Sequence, residues 1–464
     1  MQGGGLLLEL AGLAFRELAL FAAFGFLLGA IDTLAVDFLW FWRTIRRRAA
    51  RRDGKRQYLA DLPPAKRPGG HAVFIPAWDE ASVIGPMLEN TARRFVAQDC
   101  VLFVGCYPND PDTIAEIEAV ASQVSTIRTV VCPNPGPTTK ADCLNALWAE
   151  LEREEWRTGR RFKSVILHDA EDVVHRAEIP LFDRLIDHHD LVQIPVIALP
   201  DAHSPWIAGH YCDEFAEAHG KDLVVRDSLG AGVPSAGVGC AISRQALSRL
   251  AHERGGRPFD ADSLTEDYEL GLSLAENGGC GTFMRCYDKR TNALIAVHAH
   301  FPGTLSEAVR QKTRWIAGIA LHGWDRLGWH AGIADLWMRA RDRSAILASM
   351  ILLAAYLAAI LGFGLLIATA TTPYALPEMP PVLTYILIAN FWLLLWRLAV
   401  RASFTGYCYG WREGLRAIPR ALVSNIIAMM AARRAMTRYI FARRDEPPIW
   451  DKTQHTFPDT AALQ

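Results

Sequence analysis

Three short polar clusters in this 464-residue chain combine residue types that do chemistry. His168, Asp169, Ala170, Glu171 and Asp172 follow an apolar run. Two carboxylates one residue apart in a turn can reach a divalent cation and a ribose together, and such oxygen donors suit Mg2+ or Mn2+. Alone, an acidic loop is most often simply solvated. Thr265, Glu266 and Asp267 precede an amphipathic stretch. They read as an N-cap with acids in the first helical turn, or as a base placed to take a proton from a hydroxyl. Gln311, Arg314 and Trp315 fall on one helical face by the i, i+3, i+4 rule. Arg314 offers a cation for a diphosphate, and Trp315 a flat ring for the apolar face of a sugar. Taken alone, that cluster reads as an amphipathic interfacial helix. The three occur in this order and just before long apolar segments, which makes the combination more telling than any member.

The elements that must position them can be read from patterning. Apolar runs at 71–76, 101–105, 129–132, 164–168 and 191–196 read as strands. Stretches at 81–97, 112–123, 140–154 and 178–188 read as helices between them. Such alternation predicts an α/β domain with a mostly parallel sheet, whose ligands sit at the carboxyl ends of the strands. The polar clusters fall at those ends.

Residues 18–42 are apolar except for Asp32 and Asp37, long enough to cross a bilayer, and the two acids are expected to face protein or an interface. Between 43 and 56 there are eight basic residues and one acid. Positive charge after the apolar stretch argues against a cleaved signal peptide and predicts a cytoplasmic domain next. Residues 345–370 carry no charge and 382–400 form a second apolar segment, with basic flanks facing the cytoplasm. The predicted architecture is a spanning helix (1–42), a basic linker (43–66), the α/β domain (67–300), amphipathic helices (301–343), two spanning helices (344–401) and a cytoplasmic interfacial tail (402–464). Within that tail, the short apolar run 421–432 reads as a re-entrant or surface-lying helix rather than a fourth span. A net charge of −1 gives no reason to expect a nucleic-acid binder, and nine scattered cysteines without zinc spacing read as reduced thiols.

The ordered set of acidic turn, T-E-D and Q-x-x-R-W resembles the family-2 glycosyltransferases of the cellulose- and hyaluronan-synthase type. Pro76, Ala77, Trp78, Asp79 and Glu80 resemble that family's P-x-x-N-E motif, and Lys140 to Asn145 its K-A-x-x-L-N motif. The runs VGCYPNDPDT, PGPTTKADCLNAL, LHDAEDVV, DEFAEAHGKD, PSAGVG, SLTEDYELG and WDKTQHTFPD resemble the inner-membrane phage-adsorption protein B (NfrB) family over nearly the whole chain. The resemblance implies a GT-A fold, a Rossmann-like mixed sheet, and inverting transfer from a nucleotide sugar of the UDP type. The acceptor would be an envelope or exopolysaccharide glycan or a lipid-linked one, at the cytoplasmic face of a bacterial inner membrane, with an outer-membrane export partner.

By the same resemblance, Glu80 and either Asp110 or Asp112 line the base and ribose pocket, and Lys140 meets the nucleotide or its phosphates. Asp169 and Glu171 serve ribose and metal, with Asp172 as an alternative ligand. Asp267, beside Glu266, is the general base. Gln311, Arg314 and Trp315 hold diphosphate and acceptor, and residues 235–239 line the acceptor channel. Longer members carry a further domain tied to nucleotide second messengers; the sequence ends at Gln464, and no such regulation is expected within it. The rival expectations are single addition to a polyprenyl phosphate and a non-catalytic envelope scaffold.

Overall fold

The computed structural model of the chain describes residues 2–50, 56–329, 332–376, 378–441 and 456–458. Part of the expected basic linker, 51–55, and the tail from 442 on, apart from 456–458, lie outside the described residues. The chain opens with α1 (Gln2–Ala50), one continuous helix. The α/β domain then runs β1 (His71–Pro76), α2 (Ile84–Arg94), β2 (Cys100–Cys106), α3 (Pro111–Ala121), β3 (Ile127–Val131), α4 (Lys140–Thr158), β4 (Ser164–Leu167), α5 (Glu178–Leu185), β5 (Leu191–Gln193) and β6 (Val196–Ala198). After these come α6 (Ile207–Glu217), α7 (Leu223–Ser228), β7 (Cys240–Ser243), α8 (Arg244–Glu253), α9 (Glu266–Glu276), β8 (Gly281–Phe283) and β9 (Val297–Ala299).

Seven strands form one sheet in the order β3-β2-β1-β4-β7-β5-β8, in which only β7 runs antiparallel to its neighbours. β1 is buried along its whole length, as a strand covered on both faces must be. Its side chains alternate between two cores. Val73 and Ile75 pack with Met87, Leu88, Ile117 and Phe182 on one face. Ala72 and Phe74 pack with Leu144, Trp148, Leu247 and Leu270 on the other. The run expected as a single strand at 191–196 is two. Pro195 cannot donate to a ladder, so β5 stays in the main sheet and β6 pairs with β9.

Beyond the sheet come α10 (Leu305–Ile316), a wide π-type turn (Ala317–His322), α11 (Gly323–Leu327), α12 (Ile333–Arg343), α13 (Ala345–Thr371), α14 (Pro381–Tyr409) and α15 (Trp411–Phe441). Among the described residues, four helices are long and apolar enough to cross a membrane: α1, α13, α14 and α15. That is one more than expected. The apolar run 421–432 is the middle of a continuous 31-residue helix, so the chain does not turn back there as a re-entrant segment would. α15 is tied to the α/β domain and the helices after it along its length. Arg420 pairs with Asp213 of α6 at 2.8 Å, and Tyr439 donates to Asp325 of α11 at 2.7 Å.

Asp32 and Asp37 of α1 face protein, as expected. Asp32 is held by Arg341 and by Trp337 Nε1. Asp37 accepts from Lys221 Nζ at 2.7 Å and Trp396 Nε1 at 2.8 Å, and Lys221 also pairs with Glu217. α1 therefore rests on α12 at Asp32 and on the α/β domain at Asp37, while Gly25 packs against Ile351 of α13 and Asn390 of α14 donates to Ala23 O.

Candidate active site

The ends of β1, β2 and β4 and the start of α4 open on one side of the sheet. Thr139 caps α4 by accepting from Asp142 N, which places Lys140 at the first helical position. Its ammonium reaches across to Asp169 Oδ1 at 2.5 Å. Burial works against the charge on Lys140, but the fields of Asp169, Glu266 and Asp267 outweigh it and raise its pKa. Lys140 is thus both a helix-starting residue and the electrostatic centre of the acidic cluster.

The acidic turn is held from behind. Asp172 is buried, and its Oδ2 accepts from Asp169 N at 3.0 Å and lies 3.1 Å from His168 Nδ1. It is the staple of the turn, which corrects its reading as an alternative metal ligand: its oxygens point into protein. His168 Nε2 faces Glu178 Oε2 at 3.1 Å. Burial alone would lower the His168 pKa, yet pairing with Asp172 and Glu178 lifts it to about 10. Asp169 and Glu171 stay half-buried at the mouth.

Thr265 precedes α9 but makes no capping bond, and its buried Oγ1 has no hydrogen-bond partner among the described residues. Thr265 holds the N-cap position, with Glu266 and Asp267 in the first turn as expected, but its side chain lies under the π-type turn instead of capping. A Cβ on Gly318 would stand 2.5 Å from Thr265 Oγ1 and Cγ2. The next two residues turn to the mouth. Burial and the neighbouring Asp267 push Glu266 up to about 7. Burial also raises Asp267, although Lys140 and Arg314 pull the other way. Gly237, at φ +74°, brings residues 235–239 against Asp267; a Cβ there would sit 2.5 Å from Asp267 Oδ2.

Arg314 acts on both Glu266 and Asp267, yet no hydrogen bond engages its guanidinium among the described residues. Gln311 Oε1 is buried and also without a hydrogen-bond partner there. Trp315 sits in an aromatic cluster, with Tyr211 at 6.1 Å and Phe215 at 6.4 Å between ring centroids. Lys140, Asp169, Glu266, Asp267 and Arg314 are therefore brought together, with Trp315 on the α6 side.

Of the two acids left open at the β2 end, Asp110 is the inward one. It is buried, caps α3 through Thr113 N and accepts from Asp79 N at 2.6 Å. Asp112 is exposed on the first turn of α3. Asp79 takes φ +53°, an uncommon conformation for a residue with a side chain, and the bond to Asp110 holds it. That turn buries Glu80, whose amide donates to Thr113 Oγ1. Trp78 packs edge-on to Tyr107 at 5.1 Å and covers Gly136. Its half-buried ring beside Glu80 and Asp110 is an aromatic wall, and the signal for it in the sequence is its place inside the P-x-x-N-E-like segment.

Among the described residues no three His, Cys, Asp or Glu side chains form a closed metal cage. Asp169 and Glu171 nevertheless fit a hard divalent cation that completes its shell with substrate phosphates and water, since such ions need only one or two protein carboxylates.

Known proteins resemble the chain in sequence and in fold. Bacteriophage adsorption protein B of Escherichia coli K12 is 36% identical over 94% of the chain, and the bacteriophage N4 adsorption protein B of E. coli O157:H7 matches equally. The chain spans 62% of the length of these relatives. A mannosyltransferase from Pyrobaculum calidifontis, solved with GDP-Man and Mn2+, superimposes with a TM-score of 0.56 at 16% identity, covering 91% of this chain and all of that one. This likeness supports a GT-A fold. The sequence pattern described as "Glycosyl transferase family group 2" matches residues 164–400, just over half of the chain, and spans the acidic turn, T-E-D and Q-x-x-R-W; the chain belongs to that family.

Proposed function

We propose that this glycosyltransferase is membrane-anchored and inverting, and transfers a sugar from a nucleotide-diphosphate donor to a growing envelope glycan at the cytoplasmic face of a bacterial inner membrane. The observation that carries the reading is the meeting of Lys140, Asp169, Glu266, Asp267 and Arg314 at one mouth, against a domain joined to long apolar helices. A nucleotide sugar would lie with its base beside Trp78, Glu80 and Asp110, and its ribose near Asp169. Asp267 takes the acceptor hydroxyl proton. The oxygen then attacks the anomeric carbon from the face opposite the diphosphate, whose bond to the sugar breaks. Lys140 and Arg314 supply positive charge for the departing diphosphate. A bound Mg2+ or Mn2+, held by Asp169 and Glu171, would add Lewis-acid stabilisation of the same charge. Gln311 and Trp315 lie where the acceptor approaches.

A panel of UDP- and GDP-sugars, incubated with the purified full chain with and without Mn2+, tests the reading. Release of free nucleoside diphosphate with one donor, dependent on the metal, is expected. No turnover with any donor, while nucleotide also fails to bind, would overturn it in favour of a scaffold. Product length separates polymer synthesis from single addition to a polyprenyl phosphate.

A further inference from the structure

Arg16 and Glu17 are neighbouring charges inside the apolar part of α1, with Leu10, Leu13, Phe21 and Phe24 exposed on either side of them. Packing against α13 gives their depth. Gly25 meets Ile351, and nearer the N-terminus Phe15 meets Gly362. α13 carries no charge from Ala345 to Thr371. At about 1.5 Å per residue, Gly362 lies about 25 Å beyond Ala345 and about 13 Å short of Thr371. A hydrocarbon core of about 30 Å centred on this helix therefore contains Arg16 and Glu17. α1 continues past them toward its N-terminus through Leu10, Leu7 and Leu6, all exposed, and Glu9 comes to the edge of the core.

At that depth the pair is uncovered. The Glu17 side chain is 66% exposed and that of Arg16 39%. Arg16 Nε and Nη2 both donate to a single oxygen, Glu17 Oε1, at 3.2 and 3.0 Å. Glu17 Oε2 and Arg16 Nη1 take no hydrogen bond among the described residues. Charged groups inside a bilayer are costly against lipid, and almost always face another helix or a water-filled path. Glu17 instead stands in the stripe of α1 turned away from α13, with Leu10, Ala14, Phe21, Phe24 and Leu28. The spacing of these six positions alternates four and three, as along a seam that takes a second helix.

We propose that a second copy of this chain covers the stripe, so that α1 pairs with α1 inside the membrane through reciprocal Arg16–Glu17 contacts. The charges identify the occupant. Copies in one bilayer share an orientation, so their two-fold axis runs along the membrane normal and equal residues meet at equal depth. Arg16 of one copy then reaches Glu17 of the other, and the reverse, which gives each free Oε2 and Nη1 a partner. A neutral Arg–Glu pair is complemented by another such pair at the same depth, and an identical chain supplies it. The inference rests on the reading that α1 and α13 cross the bilayer.

The test is copurification of two differently tagged full chains, co-expressed and solubilised from membranes in mild detergent. The wild type is expected to self-associate. Arg16→Glu in both chains, or Glu17→Arg in both, sets like charges face to face and should lower copurification by about fivefold or more. Arg16→Glu in one chain with Glu17→Arg in the other should restore it. Glu17→Gln, uncharged and of nearly the same shape, should lower it in the same direction and serves if a charge reversal does not insert. Absence of wild-type copurification, undiminished association of an inserted variant, or no recovery between two inserted variants overturns the proposal. So does recovery of a different membrane protein through Glu17 in place of a second copy. Carbonate extraction of the same membranes reads the spans separately. Release of the chain would overturn the membrane reading and the pairing with it, whereas a retained chain that does not self-associate overturns the pairing alone.

Discussion

Asp267 and Glu266 are adjacent acids in a mouth that penalises their charge, and Lys140 and Arg314 offset that penalty unequally. If Asp267 is the base, Asp267→Asn removes proton acceptance without removing a donor contact. Its kcat should fall by about 10²–10⁴-fold, while the donor Kd, measured by calorimetry, changes by less than about twofold. Glu266 makes a different prediction. Its folded pKa, about 7, lies above the ordinary 4.5, so the folded chain holds a proton that the unfolded chain releases. That contribution to stability is full below pH 4.5 and lost as pH rises through 7. Glu266→Gln should therefore raise the thermal midpoint by roughly 2 °C at pH 8 and leave it unchanged at pH 4. At this scale Lys140, Asp169, Asp267 and Arg314 were legible as candidates because they stand in motif-like segments, and the fold brings them to one mouth; their roles are the ones proposed. Asp172 was not, because a carboxylate's orientation depends on what lies behind it, and here His168 and the Asp169 amide lie there.

The elements explain why residues so far apart in sequence meet. Parallel strands deliver their carboxyl ends to one side, so Glu80, Asp110 and Asp169 share a mouth by topology. T-E-D is brought there by α9, and two close backbone approaches set its position: Gly237 against Asp267 and Gly318 over Thr265. Gly318→Ala would push a methyl to 2.5 Å from a short, β-branched side chain with little room to yield. The expected result is a loss of kcat of more than tenfold with expression and oligomeric state unchanged, measured beside Gly364→Ala, where a Cβ meets open space. Strand and helix positions as far as β5 were legible from apolar periodicity. The split of residues 191–196 and the length of α15 were not. The first depends on which sheet each half joins, and the second on contacts that let charged turns continue a helix.

On the scale of the whole molecule, buried charge joins the apolar helices to the α/β domain. Asp37 of α1 meets Lys221, which meets Glu217, which meets Arg401 of α14 at 3.1 Å. Lys221→Met leaves two buried carboxylates short of a partner, a change that typically costs about 3–5 kcal/mol. The midpoint of thermal unfolding in detergent should fall by roughly 6 °C or more. Lys221→Arg, able to reach both acids, should recover part of the loss. By itself the sequence determined the α/β class, three of the four long apolar helices and the residue types of the site, since composition and local periodicity carry these. The tertiary structure alone decided which acid staples the turn and which faces the mouth, and where the long helices rest on the domain. These are matters of long-range packing, where a side chain's role is set by neighbours hundreds of residues away, as Asp37 and Lys221 are 184 positions apart.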